Sequence, residues 1–410
     1  MREGPRPLFI LLYLLLLAAA TGVLGEALLR IFFRRELERA PLAAERSAEH
    51  LFWRRSPSLG WDHVPGASGY FTNGAFRGEV HIDAAGNRMN SSAGTYVAGY
   101  RDILFLGDST TVSMEVDDGK TVPARLEQAL RRRGLGYNVV NLGVRGYGTD
   151  QSVRKALEFA ASREPVAAIY LYVENDPFDN NVLREAGRKF GKGVYLRPEG
   201  SADFIAYDYP VPAYPGDFVG LVVLDGGCIP RVRTGVARKP EPRRLDAPRR
   251  FLDDHLFLAR GLGRIRRFFE EPDPADVDPE AMTRGRDWAC YSAYTDAGEP
   301  RARCHEYFDS QMEFLLGALR RIPSLRAIHL VQFPDSFRAR ALAARGKAAS
   351  AEAFRRLLAR KTIDSYLDLT DLLEREGRSR ADFQCPYDEH FCEKGIDWIA
   401  AEIAAHVVFP

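Results

Sequence analysis

The stretch Ile103-Leu104-Phe105-Leu106-Gly107-Asp108-Ser109 decides the fold. Four consecutive apolar residues ending at a turn tripeptide read as a short strand covered on both faces, the kind that lies inside a parallel sheet. The residues that follow alternate helix and strand. Pro123–Arg133 spaces Leu126, Ala129 and Leu130 along one helical face and stops before Gly134. Tyr137–Asn141 is a second strand. Thr149 opens a helix to about Ala161, with Val153, Ala156, Leu157 and Ala160 on one side, and Val166–Val173 is a third strand. This β-α-β-α-β order predicts an α/β fold built on a doubly wound parallel sheet, with the functional loops at the C-terminal ends of the strands.

The alternation breaks after about residue 190. Residues 191–305 hold 12 of the 24 prolines, including the acidic run 270–279, which marks an irregular insertion rather than more sheet. The pattern then resumes with a helix over 306–321, a strand at Arg326–Gln332, a helix over Ala351–Lys361, a strand at Tyr366–Leu369 and a terminal helix from Lys394. Upstream, Gly60–Tyr100 is rich in Gly, Asn, Ser and aromatics, with an alternating stretch at 78–83, and reads as a small lobe of turns and short strands. The Arg-, Glu- and Ala-rich residues 34–56 read as a juxtamembrane helix or stalk. The expected organisation is therefore 1–33 anchor and flank, 34–100 stalk and lobe, 101–190 first part of the α/β domain, 191–305 insertion and 306–410 second part.

Composition narrows the function. In 410 residues, 57 Lys and Arg face 56 Asp and Glu, a net charge of +1 that provides no field for a polyanion, so nucleic acid is not an expected partner. Apolar residues at 46% and charged ones at 28% fit a globular core and exclude wholesale disorder and a multi-span transporter. The apolar excess sits in Leu8–Gly25, an uncharged run near the lower length for crossing a bilayer core. It reads as one N-terminal transmembrane anchor, with a cleaved signal peptide as the alternative. Arg30, Arg34, Arg35 and Arg39 outnumber Arg2 and Arg6 and would hold the large domain in the cytoplasm. The cysteines argue the other way. Cys228, Cys290, Cys304, Cys385 and Cys392 all lie in the distal half without a C-x-x-C, which favours an extracytoplasmic domain with one or two disulfides. Five thiols of a cytosolic enzyme are the alternative.

Four short stretches carry candidate chemistry. Ser109 follows the first strand, where backbone N–H groups at a helix start stabilise negative charge; a plain strand-to-helix turn would look the same. Asn141–Gly148 holds three glycines, one of which can aim an N–H at an oxyanion, whereas the dinucleotide G-x-G-x-x-G spacing is absent. Asn175, in Glu174-Asn175-Asp176-Pro177, is a neutral side-chain donor at the third strand's end; Asn-Asp before Pro is also common in turns. Asp388 and His390 stand between Cys385 and Cys392, and one His beside one Asp provides a base and the carboxylate that fixes its tautomer.

Together, Gly107-Asp108-Ser109, Asn141–Gly146, Asn175-Asp176 and Asp388 with His390 resemble the SGNH (GDSL-type) esterase and acyltransferase superfamily, in its membrane-anchored bacterial form. The resemblance covers roughly 101–185 and 306–410. It implies a flavodoxin-like three-layer sandwich, Ser109 as nucleophile, His390 as general base and Asp388 as the residue orienting it. The N–H groups of Ser109 and Gly146 with the Asn175 side chain would form the oxyanion hole. Two positions depart from the pattern: Val173 stands where the third block begins with Gly, and Tyr387 stands where the last block has Asp, which makes Asp382 the fallback for Asp388. The implied activity needs no cofactor or metal: hydrolysis of O-acyl, foremost O-acetyl, esters of a cell-envelope carbohydrate or lipid. The alternatives are an exopolysaccharide O-acetyltransferase with the same residues and an inactive glycan- or partner-binding protein. The partners are thus a small-molecule or glycan ester and the membrane; the sequence leaves the oligomeric state open.

Overall fold

The computed structural model describes residues 7–32, 52–72, 77–92, 94–173, 175–180, 194–196, 205–207, 221–225, 229–233, 299–334, 351–379, 382–385 and 390–410. The chain divides into two compact units, one of residues 1–48, 72–75 and 240–276, the other of 49–71, 76–239 and 277–410. Apart from Thr72, the described part of the first is helix α1, Pro7–Phe32. Its side chains at 7–11, 15, 18, 29, 30 and 32 lie outside the description. Among the described residues no helix is long and apolar enough to cross a membrane.

The second unit opens with two short ribbons, β1 (Trp53–Ser56) paired antiparallel to β2 (Gly60–His63), and β3 (Ser68–Thr72) paired to β4 (Arg77–His81). The stalk expected over 34–56 is therefore not helical at its end, because Phe52 and Trp53 are buried against the lobe's own aromatics; residues 33–51 lie outside the description.

The main sheet comes next. Its elements in chain order are β5 (Arg101–Leu106), α2 (Ser109–Val112), α3 (Val122–Arg132), β6 (Tyr137–Asn141), α4 (Thr149–Ala160), β7 (Ala167–Tyr172) and α5 (Asp176–Asp179). In the expected insertion over 191–305, the described residues up to 233 form two antiparallel ribbons, β8 (Val194–Leu196) with β9 (Ile205–Tyr207) and β10 (Leu221–Asp225) with β11 (Ile229–Arg233), separate from the main sheet, and those from 299 onward already belong to the next helix. Then follow α6 (Glu299–Ala318), β12 (Ala327–Gln332), α7 (351–359), β13 (Ser365–Asp368), α8 (Leu369–Arg375) and α9 (Glu393–His406).

The five-stranded sheet runs β13-β12-β7-β5-β6, and every pairing is parallel. Counted in chain order this is 2-1-3-4-5, the doubly wound arrangement of flavodoxin-like connectivity. The alternation along β5 builds both layers. Ile103 and Phe105 point into a core with residues of α3, α8 and α9, while Leu104 and Leu106 point into a second core with residues of α4, α6 and α7. The reversal of strand order between β5 and β7 opens the crevice at their C-terminal ends, where ligands bind in such sheets.

Candidate active site

Three of the four stretches meet at that crevice. Ser109 is half-buried at the first position of α2, so its N–H has no acceptor within the helix. Asp108 caps the helix: Oδ1 accepts the Thr110 N–H at 2.9 Å and the Thr110 hydroxyl at 2.8 Å. The glycine loop after β6 leans directly on α2. A Cβ at Gly143 would stand 2.5 Å from the Val112 nitrogen, so only glycine permits this approach. Asn141 ties the loop down, donating to the Thr111 carbonyl at 3.2 Å and accepting the Gly143 N–H at 3.0 Å. Gly146 takes φ of 70°, which frees the turn that Tyr147 N–H closes onto the Val144 carbonyl at 3.1 Å.

After β7, the Asn175 amide donates to Asp108 Oδ2 at 3.2 Å and to Asp179 Oδ2 at 2.5 Å. Both amide hydrogens are thus held by carboxylates, and donation to an oxyanion requires exchange of the longer bond. Asp176, beside it, is buried and accepts the Tyr170 hydroxyl at 2.7 Å and the Val173 N–H at 3.0 Å. Burial first, and the nearby Asp108 carboxylate second, push the Asp176 carboxyl well above its ordinary range. With Tyr170 and Val173 both donating to it, Asp176 supports the loop after β7.

His390 lies on the loop closed by the Cys385–Cys392 disulfide. The Cys385 N–H donates to the His390 carbonyl at 2.8 Å, and Phe391 packs on Phe333 with ring centroids 4.7 Å apart. The imidazole Nδ1 stands 3.6 Å from Oε1 of Glu115, in the segment just past α2, and Arg145 of the glycine loop donates to that same oxygen at 2.8 Å. His390 is thereby brought to the serine segment, although no Ser109–His390 hydrogen bond is formed among the described residues; such bonds tighten in substrate complexes. Asp388, expected to orient His390, lies outside the described residues. The fallback Asp382 is exposed and accepts the Ser379 N–H at 2.8 Å within its own turn.

Sequence reasoning missed Glu115 and Arg88. Arg88 is fully buried in the lobe and donates to the carbonyls of Val112, Ser113, Val116 and Glu79 and to Asp118. It clamps the segment that carries Glu115. Desolvation lowers its pKa, opposed by Asp118 and Glu115. The lobe also holds the glycine loop: Trp61 donates to the Arg145 carbonyl at 3.0 Å, and Tyr147 donates to the Trp61 carbonyl at 2.5 Å. Met114, Val112, Val144 and Tyr147 join the lobe's aromatic core. Among the described residues no cluster of His, Cys, Asp and Glu is arranged to hold a metal ion.

No family model and no curated protein sequence matches the chain. Solved structures do. Two mutants of the esterase AlinE4 are each 14% identical, cover 76% of this chain and 97% of their own, and superpose with a TM-score of 0.33. LAE5, an alpha/beta hydrolase enzyme from the metagenome of Lake Arreo, Spain, is 14% identical over 76% of this chain and 96% of its own, with a TM-score of 0.35. A likeness of this degree leaves the fold to the strand order and the chemistry to the residues.

Proposed function

We propose that the chain is a serine-dependent ester hydrolase of the SGNH type, acting on O-acyl, foremost O-acetyl, esters of a cell-envelope carbohydrate or lipid. The observation that carries the reading is the convergence at one sheet edge: the Asp108–Asn175 bond joins the serine turn to the end of β7, and His390 reaches the segment six residues past Ser109.

In the proposed cycle, His390 Nε2 takes the Ser109 proton as Oγ attacks the acyl carbonyl. The oxyanion is held by the N–H groups of Ser109 and Gly146 and by Asn175 after it leaves Asp108. The imidazolium returns the proton to the departing alcohol oxygen as its bond to the acyl carbon breaks. Water, deprotonated by the same nitrogen, then releases the acid and restores Ser109.

Anchoring through Leu8–Gly25 and an extracytoplasmic site belong to the same proposal. Supporting the first are the uncharged run and the outward exposure of Leu12, Leu14, Leu16, Leu17 and Val23 on α1. Supporting the second is the Cys385–Cys392 bond, of a kind that persists in oxidising compartments. The test is hydrolysis of 4-nitrophenyl acetate by the purified chain. Activity lost in both Ser109→Ala and His390→Ala is expected, and wild-type rates in either variant overturn the proposal.

A further inference from the structure

The geometry points to Glu115 as the carboxylate that positions the His390 imidazole, an inference that rests on the serine-hydrolase reading above. The Glu115 side chain is 1% exposed, and a carboxylate so far from water is tolerated only where cationic or donor groups meet it. Two do so at one oxygen. Arg145 fixes Oε1 at 2.8 Å, and His390 Nδ1 approaches the same atom at 3.6 Å. Arg88 lies close enough for its charge to be stabilised by Glu115, and it clamps the carbonyls on either side of Glu115. One buried oxygen of Glu115 is thus shared between the Arg145 guanidinium and the His390 imidazole.

That placement has a chemical consequence. Negative charge beside Nδ1 favours the tautomer with its proton on Nδ1, which leaves the Nε2 lone pair for the serine proton. The 3.6 Å separation is an ion-pair distance and closes to a charge-assisted hydrogen bond when His390 becomes imidazolium. The proton moves only between Ser109 Oγ, His390 Nε2 and the leaving oxygen. Glu115 is a positioning residue. Of the other described charges on these elements, Arg88 pairs with Asp118, Glu393 pairs with Lys120 and Arg125, and Lys394 lies over the Phe383 ring; Asp388 and Glu389 of the same loop lie outside the described residues.

The experiment is the rate of fluorophosphonate labelling of the full chain against pH, for wild type, Glu115→Gln, Arg145→Met and the controls Ser109→Ala and His390→Ala. Glu115→Gln is expected to slow labelling by about 10²-fold and to move the acidic limb of the profile down by about one pH unit, because imidazolium loses its anionic neighbour. Arg145→Met is expected to move the limb upward, since Glu115 then acts on His390 unopposed. A structural role predicts no such opposite shifts, and Arg145→Met keeps the test alive if Glu115→Gln fails to fold. Labelling dependent on Ser109 and His390, with the wild-type limb retained in Glu115→Gln and Arg145→Met, overturns this inference alone. Absence of wild-type labelling, or equal labelling of Ser109→Ala, overturns it together with the reading beneath it.

Discussion

The side-chain amide of Asn175 donates to Asp108 Oδ2 across 3.2 Å, so the ends of β7 and β5 are tied together at the residue that precedes the candidate nucleophile. The bond spans the crevice where the order of the sheet reverses. In the proposed cycle, Asn175 exchanges this bond for one to the oxyanion.

Asn175→Ala is therefore expected to lower kcat by about 10²–10³ with little change in KM, the usual cost of one oxyanion donor. Steady-state kinetics on an activated acetyl ester checks this. An unchanged kcat would assign Asn175 to holding the two carboxylates and nothing more.

Arg88→Met removes a buried guanidinium that serves four carbonyls and Asp118. Leaving Asp118 without this partner and the carbonyls short of a donor is expected to cost about 3–5 kcal/mol in urea denaturation. A loss below about 1 kcal/mol would show that the clamp is dispensable.

Much of this fold is legible from residue order. Tyr137–Asn141 reads correctly at both ends because a compact apolar run is punctuated by Gly136 before and Gly143 after. Val166–Val173 reads one residue too long at each end, since Val166 and Val173 are apolar yet lie beyond the β7 pairing. Composition misleads at the end of 34–56, where the Arg, Glu and Ala content suggests a juxtamembrane helix or stalk but Trp53 is drawn into the lobe's core. Glu115 belongs to no periodic pattern. Its one signal is a carboxylate set between Met114 and Val116 after Val112, a charge where burial is otherwise expected. The partners of Arg88, in the turn after Gly86, depend wholly on tertiary docking of the lobe, which no local rule encodes. Asn175 was legible as a donor, but not that two carboxylates would hold it.

Opening the Cys385–Cys392 loop by Cys385→Ser with Cys392→Ser releases the segment that carries His390. The short ring predicts a loss of about 2–3 kcal/mol on the chain-entropy account, together with slower ester hydrolysis. Dithiothreitol should lower wild-type activity and leave the double variant unaffected. Equal stability and activity with and without the bond would remove it from the account.

His329, buried on β12 with Nδ1 2.8 Å from Ser365 Oγ, is held by desolvation at a pKa of about 4 against an ordinary 6.5. The unfolded chain thus takes up this proton first, so the stability is fully present above pH 6.5 and is lost as pH falls toward 4. The loss attributable to this group is roughly 3 kcal/mol. Urea midpoints at pH 7 and pH 4.5 should differ less in His329→Gln than in wild type; parallel curves would refute the assignment.

The most direct measurement is intact-protein and peptide mass spectrometry after reaction with a fluorophosphonate. The account predicts a single phosphonyl adduct on the peptide containing Ser109, absent in Ser109→Ala and strongly reduced in His390→Ala. An adduct on another residue, or one formed equally without His390, would contradict it.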